Sequence, residues 1–248
     1  MPDVSVLLPV YNESEILEEH AKKIAEHVKK VGFECEVIIV DDASSDESVK
    51  LEAAISQKYG VRFIRYEQGP TRRENLAQSF KQAKGDIIVM MDFDLATDLN
   101  QLKVLIEEVK KGADIVTGNR YHKESRLFRK WDRWLVSKVM NGIVQLLFNT
   151  GLTDNFCGFK AFKKKVAIKL VKEMGFDDTK KRGVCWDPEL LARARLKGLK
   201  VTAIPITWIE RKKSALHFCR LSEIQSLFYL LKLKARLRKS QSLKGTST

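Results

Sequence analysis

The chain has 248 residues, a formal charge of +13 and 44% apolar residues, which suits one sizeable α/β domain with its own core plus an appendage. No apolar run approaches the roughly 20 residues of a membrane span, and MPDVSVLLPVYNE at the N-terminus lacks the basic leader of a secretory signal. The basic excess concentrates in 123–138, 160–182 and 211–239, so a basic face for a polyanionic partner is preferred over an evenly charged surface.

Strand-like runs occur at 4–10, 36–41, 61–66, 86–91, 114–118 and 200–209. Between the first two, Ile16, Leu17, His20, Ala21, Ile24, Val28 and Val31 recur at helical spacing. Segments 46–58, 72–84 and 99–111 behave alike, which predicts βαβ units and a mostly parallel sheet covered on both faces. Beyond residue 120 the pattern changes. Segment 126–149 reads as an amphipathic helix or helix pair, 164–174 and 187–197 as helices, and 220–239 as a last helix. Its Leu221, Ile224, Leu227, Phe228, Leu231 and Leu237 fall broadly on one side, and 240–248 reads as a disordered polar tail.

In a parallel sheet covered by helices, ligands bind beyond the carboxyl ends of the strands. The polar residues that follow each strand are therefore the candidate site. The first strand is not followed by G-x-G-x-x-G, and no G-x-x-x-x-G-K-[ST] occurs, which argues against a dinucleotide-binding fold and a P-loop. The strongest feature is DIIVMMDFDLATD, Asp86–Asp98, where a buried strand ends in Asp92-Phe93-Asp94. Two carboxylates at a buried strand end need a partner, because desolvation costs several kcal/mol per ion. A hard divalent cation completed by substrate phosphates fits, and is preferred over a solvated acid pair. Tyr11 offers an aromatic face to a base, Glu13 an acceptor or a helix-start acid, and Asp42 a carboxylate for the N–H edge of a pyrimidine or guanine. Ser44, Ser45 and Asp46 read as helix caps. Cys35, Cys157, Cys185 and Cys219 have no metal-ligand spacing and read as free thiols. His20 and His27 read as surface or edge residues of their helix.

SVLLPVYNE, EVIIVDDASSD, GDIIVMMDFDLATD, DIVTGNRY, TDNFCGFKAF and WDPELLARARLKGLKVTAIPITW occur in order. Together they resemble the family 2 glycosyltransferases of GT-A fold, a nucleotide-diphospho-sugar transferase fold, over about residues 4–216. The subgroup they look like comprises the polyprenyl-phosphate (dolichyl-phosphate) mannosyl- and glucosyltransferases. The resemblance implies a GT-A domain over 1–216 and leaves 217–239 as a C-terminal amphipathic helix at a membrane interface. It also implies that Pro9, Tyr11, Glu13 and Asp42 hold base and ribose, and that Asp92 and Asp94 bind Mg2+ or Mn2+ against the diphosphate. Arg120, Arg133 and Arg211 would face phosphates of donor or acceptor, and Ser214 matches the serine of the closing segment. Where the subgroup has a glycine-rich stretch, this chain has GPTRRENLA, so Arg72 and Arg73 either contact phosphate or base, or form a basic helix start. Ala96 and Ala215 also depart, standing where a metal ligand and a lysine are frequent.

The expected activity is inverting transfer of a hexose from a UDP- or GDP-sugar to a polyprenyl phosphate at the cytosolic membrane face. An alternative is transfer to a glycan or glycolipid hydroxyl, with Glu189 or Asp187 as base. A sugar-nucleotide-recruiting binding module is a different class, disfavoured by the intact Asp92, Asp94 and Arg120. Nucleic-acid binding through the basic face lacks a zinc-finger, RNP-like or helix-turn-helix pattern. For membrane contact by helices 131–149 and 220–239, Trp131, Trp134, Phe148 and Phe228 are the expected apolar groups, and Lys232, Lys234, Arg236, Arg238 and Lys239 the headgroup partners; the alternative is that both helices pack on the domain or form a dimer contact.

Overall fold

The computed structural model describes residues 1–210 and 220–245. A seven-stranded sheet in the order β3-β2-β1-β4-β7-β5-β8 forms its centre. The strands are β1 (Val4–Val10), β2 (Cys35–Asp42), β3 (Arg62–Tyr66), β4 (Ile87–Met90), β5 (Ile115–Asn119), β7 (Lys160–Lys163) and β8 (Val201–Pro205). All run parallel except β7, which is antiparallel to both β4 and β5. A parallel pair, β6 (Arg126–Phe128) and β9 (Thr207–Ile209), stands apart. The apolar runs VSVLLPV and IIVM are continuous because helices cover both faces of their strands.

Helices α1 (Ser14–Val28) and α4 (Leu102–Lys110) bury Leu17, Ala21, Ile24, Leu105, Ile106 and Val109 against one face. On the other face, α3 (Glu74–Ser79), α6 (Lys164–Met174) and α7 (Trp186–Leu196) contribute Leu76, Leu170, Trp186 and Leu190. Helix α2 (Ser48–Tyr59) buries Ile55 and ends at Gly60 in the left-handed conformation.

The first four strands and their helices lie where periodicity placed them. The third helix is shorter than expected, α3 giving way to a 3-10 turn at Phe80–Gln82. Two strands were missed. β7 lies within TDNFCGFKAF, and β6 occupies the start of the segment read as helical from 126. The run 200–209 is two strands, because Ile206 separates β8 from β9.

A third apolar cluster joins α5 (Trp131–Phe148), α7 and α8 (Arg220–Gly245) through Val144, Phe148, Cys185, Ala192, Leu230, Leu233 and Leu237. This corrects the expected face of the last helix. Leu230, Leu233 and Leu237 are buried, while Ile224, Leu227, Phe228 and Leu231 are exposed. The helix is apolar on more than one side, and α5 and α7 take only one of them. It also continues through 240–245, where the polar composition predicts a disordered tail. Phe148 is buried in this cluster and Lys234 donates to the Leu147 carbonyl, so neither stands open for membrane contact. Trp131, at 77% exposure, Trp134 and Phe228 are open, together with Leu135, Val139 and Leu146 of α5.

Candidate active site

Strands β1, β2, β4 and β5 are parallel, so Pro9–Glu13, Asp41–Asp42, Asp92–Asp94 and Arg120 all emerge at one edge of the sheet. The order 3-2-1-4 places a topological switch between β1 and β4, where a crevice opens in such sheets. The antiparallel β7 enters from that same edge, which brings Asp154–Phe159 beside the ends of β4 and β5.

The ladder between β1 and β4 closes with Met91 N donating to the Leu7 carbonyl at 3.2 Å. The next residues alternate, with Phe93 and Leu95 buried and Asp92 and Asp94 partly exposed. Both carboxylates therefore face away from the core. His20 of α1, read as a surface or edge residue, is half-buried and fixes this turn: its Nδ1 lies 2.9 Å from the Phe93 carbonyl. A carbonyl only accepts, so Nδ1 carries the proton. Ala96 N donates to Asp94 Oδ1 at 3.0 Å, and the Ala96 carbonyl accepts from Ile209 N at 2.8 Å, which ties the turn to β9. Among the described residues no group of three or more His, Cys, Asp or Glu could hold a metal. Asp92 and Asp94 supply two oxygen-donor groups, the set that suits a hard cation taking its remaining ligands from phosphate and water.

Asp92 is not isolated. Arg73 Nη2 donates to Asp92 Oδ1 at 2.9 Å, and Arg73 Nε lies 3.7 Å from Asp187 Oδ2. The other Asp187 oxygen accepts from the fully buried Lys160 amine at 2.6 Å, which also donates to the Cys157 carbonyl. Burial alone would depress the Arg73 guanidinium; the Asp92 and Asp187 carboxylates outweigh it and hold it above its ordinary value. Gly158 closes the arrangement. A Cβ there would stand 2.5 Å from both Arg73 Nη2 and Asp92 Oδ2, so a side chain at this position would displace the pair.

Asp42 plays a different part from the one expected. Its carboxylate accepts from Thr71 N at 2.7 Å, Thr71 Oγ1 at 2.9 Å, Arg72 N at 2.8 Å and Asn75 Nδ2 at 2.6 Å. Four donors occupy the lone pairs that a base would need, so Asp42 organises the loop before α3. Arg72 sits there at φ 66, the left-handed region that glycine supplies most readily. Its side chain is exposed, whereas Arg73 points inward. The loops after β1 and β2 are tied to one another. Asn12 N donates to Ser44 Oγ at 2.9 Å, and Ser45 N to Asn12 Oδ1 at 2.8 Å. Tyr11 is exposed beside them, while Pro9 and Glu13 are partly buried.

Arg120 is buried in a two-pronged pair with Asp154, at 2.7 Å from Nε and 2.8 Å from Nη2, and its own N–H adds a third bond at 3.0 Å. Burial opposes the charge, and Asp154 more than restores it. The guanidinium lies over Trp208, 5.6 Å from the ring centroid. Arg129, which sequence reading missed, lies over the same ring at 5.4 Å, and its buried Nε and Nη1 make no hydrogen bond. Glu210 meets Arg133 Nη1 at 2.7 Å and Arg129 Nε at 3.7 Å. Arg120, Arg129 and Arg133 thus gather around Trp208 and Glu210. No spacing rule would have found Arg129, since the fold of β6 beside β9 brings it in. Arg211 and Ser214 lie outside the described residues.

Glu189 is corrected. It is wholly buried, and its carboxylate accepts from Arg182 Nε at 3.0 Å, from Arg193 Nε and Nη2 at 2.9 and 2.7 Å, and from the Tyr229 hydroxyl of α8. Burial, then the Glu189 charge, pushes the Tyr229 phenol up to about 12. Arg182 further donates to Glu74 Oε1 at 2.7 Å and to the Met174 and Gly175 carbonyls. This knot joins α3, α6, α7 and α8, and it leaves Glu189 no lone pair for proton abstraction. Asp187, two residues earlier on α7, is the carboxylate that reaches the Asp92 end through Arg73.

The mostly parallel sheet flanked by helices, with an acidic strand end at its switch point, has the GT-A class of nucleotide-diphospho-sugar fold. The solved structure of glucosyl-3-phosphoglycerate synthase from Mycobacterium tuberculosis, in complex with Mg2+ and uridine-diphosphate, shares that fold at a TM-score of 0.66 and 18% identity, over 94% of this chain and 80% of that one. The sequence profile of Glycosyl transferase family 2 matches residues 5–171, and the chain belongs to that family. Glycosyltransferase AglD of Haloferax volcanii is 32% identical over 210 residues, 83% of this chain and 33% of that protein. Dolichol-phosphate mannosyltransferase of Pyrococcus furiosus is 36% identical over 167 residues, 66% of this chain and 47% of that protein. The chain thus spans a third to a half of the length of these relatives.

Proposed function

We propose that this protein transfers a hexose from a nucleoside diphosphate sugar, of UDP-glucose or GDP-mannose type, to a polyprenyl phosphate with inversion at the anomeric carbon. The observation that carries the reading is the placement of Asp92 and Asp94 at the switch-point end of β4, with Arg120, Arg129 and Arg133 grouped around Trp208 and Glu210. Tyr11 stands exposed at the same edge as an aromatic face for the base. A Mg2+ or Mn2+ ion on Asp92 and Asp94 would supply Lewis-acid stabilisation of the departing diphosphate. An acceptor phosphate is largely ionised near neutral pH, since its second pKa is about 6, so the chain needs to orient the nucleophile more than to deprotonate it. The guanidinium forks of Arg129 and Arg133 suit that task. The named activity of the Pyrococcus relative supports a lipid-phosphate acceptor.

No helix among the described residues is long and apolar enough to cross a membrane. For a lipid acceptor, Trp131, Trp134 and Phe228, with Lys232, Arg236 and Arg238, would provide surface contact at the cytosolic face. Co-sedimentation with vesicles tests it: binding should need anionic lipid and weaken with salt, and equal recovery in the supernatant with and without vesicles would refute it. For the reaction itself, Arg133→Ala should raise the acceptor KM or lower kcat at least tenfold. Unchanged kinetics with a lipid phosphate would remove Arg133 from the acceptor site. Transfer to a hydroxyl, with Asp187 as base, is the second reading, favoured by the Arg73 contact that places Asp187 near Asp92.

A further inference from the structure

The cation already present at the acidic strand end is Arg73. It is held by Asp92 on one side and Asp187 on the other, and Gly158 packs against it. Asp187 is in turn matched by Lys160. Two fixed positive charges therefore stand among the carboxylates at the end of β4 before any ligand arrives. Arg73 is poorly placed to leave. Its loop is pinned by the four bonds to Asp42, its carbonyl accepts Ala77 N at 2.8 Å within α3, and its side chain is 15% exposed.

A divalent cation approaching Asp92 meets a carboxylate oxygen that already accepts a guanidinium N–H, and it meets the guanidinium's repulsion at close range. We propose that Arg73 is a built-in counter-cation that keeps the Asp92–Asp94 pair from binding a divalent metal by itself, so that metal enters together with a nucleoside diphosphate, whose negative charge offsets Arg73. Arg73 is then a positioning residue. It orients Asp92 and sets the order in which ligands arrive, and the diphosphate's oxygens complete the coordination that two carboxylates leave open.

The inference rests on Asp92 and Asp94 as cation ligands, and its test separates the two claims. Mn2+ binding is measured directly, by the electron paramagnetic resonance signal of free Mn2+, for the wild-type chain, Arg73→Met and Arg73→Gln, each alone and with excess UDP or GDP. Met keeps the volume of the side-chain stem, Gln keeps a polar amide without the charge, and circular dichroism melting reports whether each variant folds. Without nucleotide, wild type should bind Mn2+ weakly, and both variants should bind about tenfold or more tightly than wild type. Nucleotide should tighten Mn2+ binding by at least about tenfold in wild type and by clearly less in the variants. If folded variants bind nucleotide-free Mn2+ no better than wild type, while nucleotide still promotes Mn2+ binding to wild type, the counter-cation role is overturned and the metal site stands. If neither wild type nor variant binds Mn2+ with or without UDP or GDP, the metal reading fails and takes this inference with it.

Discussion

Replacing Asp42 separates a loop-organising role from direct contact with a base. In Asp42→Asn the amide keeps the size of the carboxylate but presents one acceptor oxygen. Of the four donors, Thr71 N and Arg72 N share Oδ2, and Thr71 Oγ1 and Asn75 Nδ2 share Oδ1. Whichever way the amide turns, two donors lose their acceptor. Hydrogen bonds to a charged acceptor contribute about 1.5–3 kcal/mol each, and the partly buried loop lets water recover some of that, so a loss of roughly 2–4 kcal/mol is expected. For a chain of this size the melting temperature should fall by roughly 5–15 °C. The loop also carries Arg73, so donor KM should rise and kcat should fall with it. Thermal melting by circular dichroism, together with donor kinetics, measures both. A variant that melts within about 1 °C of wild type and loses only donor affinity would refute the loop role and restore direct base contact.

Glu52 of α2 lies against Asp41 and Arg65; burial, then its hydrogen bond to Asp41 and that carboxylate's charge, pushes it up to about 7. A raised carboxyl contributes stability that is present below the ordinary glutamate value and lost as pH rises through about 7. Glu52→Gln should therefore stabilise the fold at pH 8 by about 1–3 kcal/mol and little at pH 5, and equal melting shifts at both would contradict it. Glu189→Gln should lower the melting temperature by several degrees and reduce turnover only in proportion to folded protein; complete loss of turnover with an unchanged melt would make Glu189 the base after all. Tyr229→Phe removes the α8 contact with Glu189 and Arg182, and should speed hydrogen exchange in α8 while sparing the central strands. His20→Ala frees the Phe93 carbonyl and should lower kcat several-fold with a small change in stability, checked by kinetics beside a melt.

The order of strands and helices through Lys110 was legible because each strand is a continuous apolar run and each helix a 3.6-residue stripe. The acidic strand end was legible for the same reason: an apolar run that stops at Asp92-Phe93-Asp94 fixes both where the carboxylates sit and which way they face. β7 was hidden because KAFK is short and includes Lys160, whose burial depends on Asp187 from a distant helix. Glu189 and Asp187 could not be told apart in WDPELL, since both open a helix; only packing shows that one points to Arg182 and the other to Arg73. Asp42 carried the same ambiguity, because a strand-end carboxylate serves a ligand or a neighbouring loop equally well until the loop's path is known. The exposed face of α8 was misjudged since its leucines ring the helix, and which of them is buried depends on α5 and α7.

The central claim is that Asp92 and Asp94 support hexosyl transfer to a lipid phosphate. It is tested by incubating the purified chain with polyprenyl phosphate, Mg2+ or Mn2+ and a panel of radiolabelled UDP- and GDP-sugars, then partitioning into organic solvent. Label should enter the organic phase with one class of donor, disappear in excess EDTA, and fall on the order of a hundredfold or more in Asp94→Asn. Full transfer in excess chelator, or label that reaches only hydroxyl acceptors and never the lipid phosphate, would contradict it.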